Sequence, residues 1–116
     1  MTTPKPESKR RLQVASFIQE QVAIMLVAGK ISDPRLKNIT IQAVKMSPDL
    51  QVAKIFYTSR ENQDAAKHGF EKAKGFIRKS LGELLSMRYT PHLVFEYDTT
   101  YQQGLNILEV LSKITP

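Results

Sequence analysis

The chain has 116 residues, with 17 Lys+Arg against 11 Asp+Glu, a formal net charge of +6 and a pI of about 9.7. With 41% apolar and 24% charged residues it has ordinary globular composition, enough for one core and too apolar for bulk disorder. There is no cysteine, which excludes disulfide frameworks, thiol nucleophiles and cysteine-ligated zinc or iron–sulfur sites.

In chain order, residues 1–8 hold two threonines and two prolines and read as a disordered tail. They lack the apolar stretch of a secretory signal, and no run approaches the ~20 apolar residues of a membrane span, so a soluble cytoplasmic protein is expected. Residues 9–116 read as one domain. From Lys9 a helix is predicted, with Val14, Ala15, Ile18, Val22, Met25 and Leu26 on one face, Ser8 as N-cap and Gly29 as stop signal. Phe17 and Ile24 lie off that stripe, as either a second contact ridge or exposed surface. Ser32-Asp33-Pro34-Arg35 reads as a turn. The β-branched run Ile39–Met46 and the run Gln51–Thr58 flank Ser47-Pro48-Asp49 and read as a β-hairpin. A helical stretch from Asp64 to Met87 contains Gly69, Gly75 and Gly82, each costing about 1 kcal/mol relative to Ala in a helix interior. A break is expected at Ala73-Lys74-Gly75, after which Phe76, Ile77, Leu81, Leu84 and Leu85 resume the apolar pattern. After Pro91, a third strand is predicted over His92–Asp98, with Leu93, Phe95 and Tyr97 alternating. A last amphipathic helix over Tyr101–Ile114 would carry Leu105, Leu108, Leu111 and Ile114. The economical arrangement is α+β, a three-stranded sheet backed by helices in two layers.

Catalysis has little support. His68 and His92 sit on different elements and in no metal-ligand spacing, and no Gly-rich phosphate loop is present. Glu96 and Asp98 share a strand face, a pair that could do acid–base work but more often marks a solvated edge. The excess of cations points instead to a polyanion, nucleic acid being the usual one, with solubility as the plain alternative. Lys67, Lys72, Lys74, Arg78, Lys79 and Arg88 cluster on or beside the broken helix pair, and Lys9-Arg10-Arg11 forms a second basic knot. At a break, the unpaired N–H groups of the second helix could meet phosphate, with Lys74 and Arg78 close by. Lysines displayed only for solvation are the competing reading.

These residues, in this order, resemble the ribosome-binding factor A family. The resemblance rests on Ala73-Lys74-Gly75 at the helix junction, Asp33-Pro34-Arg35, Ser47-x-Asp49-Leu50 and Ala53-Lys54-Ile55-Phe56. It also rests on Gly75-Phe76-Ile77-Arg78 with Leu81-Gly82, and on Arg88-x-x-Pro91 with Phe95-x-Tyr97-Asp98, and covers about residues 9–111. It implies a type II KH-like fold in which an Ala-x-Gly kink replaces a G-x-x-G loop: helix-strand-strand-helix-kink-helix-strand plus a C-terminal helix. It further implies a non-catalytic factor, without cofactor, that binds the 30S subunit and assists late maturation of 16S rRNA, above all in the cold. Lys9, Arg10, Arg11, Lys67, Lys72, Ala73, Lys74, Gly75, Arg78, Lys79 and Arg88 are the expected RNA-binding set, on a protein expected to be monomeric. Gln13, Glu83, Ser86 and Asn106 stand where the family often has basic residues, and Arg10 and Arg11 are placed to replace the charge missing at Gln13. A KH-like module for another RNA and a protein-interaction domain using Phe17 and Ile24 are the alternatives.

Overall fold

A computed structural model describes residues 8–60 and 62–99 of the chain. The tail expected over residues 1–8, Ser8 apart, and the helix expected over Tyr101–Ile114 lie outside the described residues. Helix α1 spans Lys9–Val27, with Ser8 Oγ accepting the Arg11 N–H at 3.1 Å. It ends where Gly29 takes φ +72° and the Lys30 N–H reaches back to the Met25 carbonyl at 3.1 Å, a left-handed cap suited to glycine. A single 3₁₀ turn follows over Pro34–Leu36, capped by Asp33.

Strands β1 (Ile39–Met46) and β2 (Val52–Ser59) pair antiparallel. The Ser47-Pro48-Asp49-Leu50 turn between them is organised by one hydroxyl. Ser47 Oγ accepts the Gln51 and Val52 N–H groups at 3.1 and 3.0 Å and donates to Asp49 Oδ1 at 2.7 Å. Leu50 takes φ +62°, the left-handed step that lets such a turn rejoin the strand. The β1 register slips between Ile41 and Ala43, a bulge held by Gln19 of α1, whose Nε2 donates to the Gln42 carbonyl at 3.3 Å. Strand β3 (His92–Tyr97) lies parallel to β2, so the sheet order is β1-β2-β3. Parallel neighbours need a crossover, and α2, Gln63–Leu84, supplies it.

The inner sheet face buries Ile41, Val44, Met46, Ala53, Ile55, Tyr57, Leu93 and Phe95. Above it lie Val14, Ile18, Val22 and Met25 of α1 and Ala66, Phe70, Ile77 and Leu81 of α2. Phe70 joins the layers by stacking on Phe95 with centroids 4.4 Å apart, and Tyr57 tilts against it at 4.6 Å. The outer sheet face is mostly polar and holds the Lys54–Glu96 ion pair at 3.5 Å. This is the α+β, helix-backed three-stranded sheet expected from the sequence, with one correction. Helix α2 runs unbroken through Ala73, Lys74 and Gly75. Phe70 follows Ala66 by four residues, Ile77 follows Phe70 by seven and Leu81 follows Ile77 by four, so these buried side chains keep one helical phase across the expected break. Burial of that continuous stripe outweighs the glycine cost. Among the described residues no helix is long and apolar enough to cross a membrane.

Candidate nucleic-acid interface

Helix α2 dominates the charged surface, and its start is fixed locally. Asn62 Oδ1 accepts the Asp64 and Ala65 N–H groups at 2.9 and 3.1 Å, and Asp64 places a negative charge in the first turn, where the helix dipole favours it. Two of its glycines are set by packing. A Cβ on Gly69 would lie 2.9 Å from Leu36 Cδ2, the point at which the 3₁₀ turn rests on the helix, and one on Gly82 would lie 2.8 Å from Thr90 Oγ1. Gly75 differs: it is exposed, and a Cβ there would meet nothing within 4 Å.

An unbroken helix also sorts the cations. Lys67, Lys74 and Arg78 recur at i, i+7 and i+11 along one flank. Lys72 and Lys79 lie on another, seven residues apart, with Gly75 and Phe76 between them. The flanks differ in freedom. Lys74 is half-buried, and its Nζ sits 3.3 Å from Glu71. Arg78, also half-buried, donates from Nε to the Pro91 carbonyl at 3.1 Å and from Nη2 to the Thr90 carbonyl at 2.9 Å. It therefore ties α2 to the segment leading into β3. Lys67, Lys72 and Lys79 are exposed, and Ala73 is half-buried against the core. The expected orphan N–H groups at residues 73–75 are absent, because they lie within continuous helical hydrogen bonding.

The second knot sits where its charge is concentrated. Lys9, Arg10 and Arg11 occupy the first turn of α1, which holds no acidic residue, and add cations to the positive end of the helix dipole. Arg10 borders a shallow cleft with Leu84, Ser86 and Met87 and so faces the end of α2. Arg88 is exposed, its guanidinium 5.4 Å from the centre of the Tyr89 ring. Of the off-stripe pair on α1, Phe17 is half-buried and Ile24 is 45% exposed, so they form no single ridge.

Sequence reasoning missed a cleft of about 720 Å³ between the 30–35 segment and α2, bordered by Lys30, Ile31, Pro34, Lys72 and Phe76. Asp33 and Arg35 form its floor as a closed pair. The Asp33 carboxylate accepts Arg35 Nε at 3.0 Å, Nη2 at 2.7 Å and the Arg35 N–H at 2.9 Å. The Arg35 side-chain bonds, then its N–H, hold the Asp33 pKa at about 2. In the same manner the Ser47 hydroxyl, then the Gln51 N–H, lower the pKa of Asp49 in the hairpin turn. The cleft's sequence signal was an aromatic between two lysines at helical spacing, which an expected break at residue 75 conceals. Among the described residues no group of three His, Cys, Asp or Glu side chains converges as a metal site, and His68 and His92 are both exposed.

The family model described as ribosome-binding factor A matches residues 10–111. A ribosome-binding factor A of Geotalea daltonii is 39% identical over 109 residues, covering 91% of this chain and 88% of its own. That of Citrifermentans bemidjiense is 38% identical, covering 91% of each. The crystal structure of ribosome-binding factor A from Thermus thermophilus superposes with a TM-score of 0.69 at 23% identity, over 75% of this chain and 94% of its own. A solution structure of a Thermotoga maritima protein described as a putative ribosome binding factor A gives 0.64 at 25% identity, over 81% and 91%. A homology model of the Thermus thermophilus factor, fitted into a cryo-EM map of a 30S complex, gives 0.56 at 24% identity, over 71% and 92%.

Proposed function

The chain belongs to the ribosome-binding factor A family, and from that premise we propose that it binds the small ribosomal subunit through RNA and assists late maturation of 16S rRNA without catalysing a reaction. The observation that carries this reading is the exposed flank of α2, where Lys72 and Lys79 stand one on either side of a glycine with open space above it. Two exposed lysines on one flank can each take a phosphate of one strand, and the bare helix surface at Gly75 admits a nucleic-acid backbone closely. Lys67 and Arg88 extend the positive surface, and Lys9, Arg10 and Arg11 form a second contact near the end of α2. Arg78 and Lys74 serve the interface less directly, Arg78 by holding the β3 approach in place. A factor of this kind works by binding one RNA conformer better than another. It needs no cofactor and acts as a cytoplasmic monomer, with its greatest effect in the cold, where misfolded RNA conformers are slow to resolve.

The test is co-sedimentation of the full chain with ribosomal fractions. Enrichment on free 30S subunits over translating ribosomes is the expected result. Equal binding to unrelated RNA would favour a KH-like module of other purpose. Salt-insensitive binding to protein alone would favour an interaction domain.

A further inference from the structure

The cleft between the 30–35 segment and α2 has a wall that phosphate binding does not require. Phe76 is 48% exposed on an otherwise polar helix flank, one turn from Lys72 on one side and from Lys79 on the other. Across from it lie Ile31, half-buried on the core, and Pro34, with Lys30 at the rim. Asp33 is the one acid that lines the cleft and is already closed onto Arg35, while Glu83, exposed on the same flank of α2, lies one turn beyond Lys79.

We propose that this cleft takes one unpaired nucleotide of single-stranded RNA, its base against Phe76 and its flanking phosphates on Lys72 and Lys79. An aromatic ring between cations is the recognition chemistry of single strands, because every base offers a face to stack and every linkage a charge to neutralise. A paired duplex keeps its bases stacked inside and presents none to the ring. The volume of about 720 Å³ lies within the range of small-ligand sites. The inference rests on the RNA-binding reading above and adds to it a base-stacking subsite at Phe76, beside the 30–35 segment.

The chain contains no tryptophan, so Phe76→Trp places a single reporter indole in the cleft. With oligouridylate the indole emission is expected to be quenched, and with a blunt RNA duplex of equal length it is expected to stay unchanged. Phe76→Ala is expected to weaken oligouridylate binding by roughly five- to a hundredfold while leaving the salt dependence unaltered. Lys79→Gln is expected to flatten the slope of log affinity against log salt by about 0.7. Because Phe76 is half out of the core, circular dichroism of each variant is expected to match the parent. An unquenched indole together with parental affinity in Phe76→Ala overturns the nucleotide site. So does equal quenching by the duplex. Co-sedimentation of the parent with 30S subunits, run alongside, separates the two readings. Parental binding to subunits with an unquenched indole defeats the cleft alone, and loss of parental binding defeats the proposed function whatever the indole reports.

Discussion

Gly75 and Gly69 occupy the same helix and will answer the same substitution with opposite signs. At Gly75 a methyl enters open space, so Gly75→Ala is expected to gain helix propensity and raise stability by up to about 1 kcal/mol in urea denaturation. At Gly69 it meets Leu36, itself buried, at 2.9 Å, and Gly69→Ala is expected to lower stability. Nothing in the sequence distinguishes the two glycines; the packing of Leu36 does. If the flank binds RNA, Gly75→Ala will bind 30S subunits less well despite melting higher, a combination that stability alone cannot produce. Asp33 makes a second residue-scale prediction. Its folded pKa of about 2 lies below the ordinary 3.8, so the stability from its pairing with Arg35 is fully present above about pH 5 and is lost as pH falls towards 2. A carboxyl titration followed by NMR is expected to show the Asp33 midpoint near 2, and in Arg35→Met it is expected to return towards the ordinary value.

Among the elements, the strands and α1 were legible from sequence because their signals are local. The predicted β1 matches the observed Ile39–Met46, and Ser8 and Gly29 bound α1 as their chemistry requires. The continuity of α2 was not legible. Three glycines have a cost readable from sequence, but the compensation comes from Phe70 stacking on Phe95 and from the burial of Ile77 and Leu81, which only the fold supplies. The error then spread to the site, because a break resets helical phase and makes Lys67, Lys72, Lys74, Arg78 and Lys79 look like one cluster. In the unbroken helix they divide, and reversing their charges will separate two roles. Lys72→Glu with Lys79→Glu is expected to preserve the melting temperature and weaken RNA binding. Arg78→Glu is expected to cost about 1–3 kcal/mol of stability, measured by denaturation, because it removes a charged donor from two backbone carbonyls and sets an acid against them.

For the molecule as a whole, a net charge of +6 is a statement about long-range attraction and does not by itself locate a site. The salt dependence of binding turns it into a count. Log affinity for single-stranded RNA is expected to fall linearly with log salt, with a slope of about −0.7 for each phosphate neutralised. Contacts from both the α2 flank and the α1 knot will give a steeper slope than either alone. Reversing Lys9, Arg10 and Arg11 together is then expected to remove part of the slope and leave the rest, whereas a binding response indifferent to salt would count against electrostatic docking at either place.

The parallel pairing of β2 with β3 also has a consequence in time. The β1–β2 hairpin closes over a short turn, but β3 reaches its partner only after the whole of α2 has been laid down between them. Contacts distant along the chain form late, because closing the longer loop costs more entropy before any pairing rewards it. Hairpin and helix are thus expected to assemble first and β3 to dock last, with the bonds from Arg78 to Thr90 and Pro91 acting as the latch. The same order in reverse governs opening. In native-state hydrogen exchange the β3 amides are expected to exchange ahead of those of β2 that pair with β1, and Arg78→Ala is expected to speed unfolding while leaving the folding rate nearly unchanged.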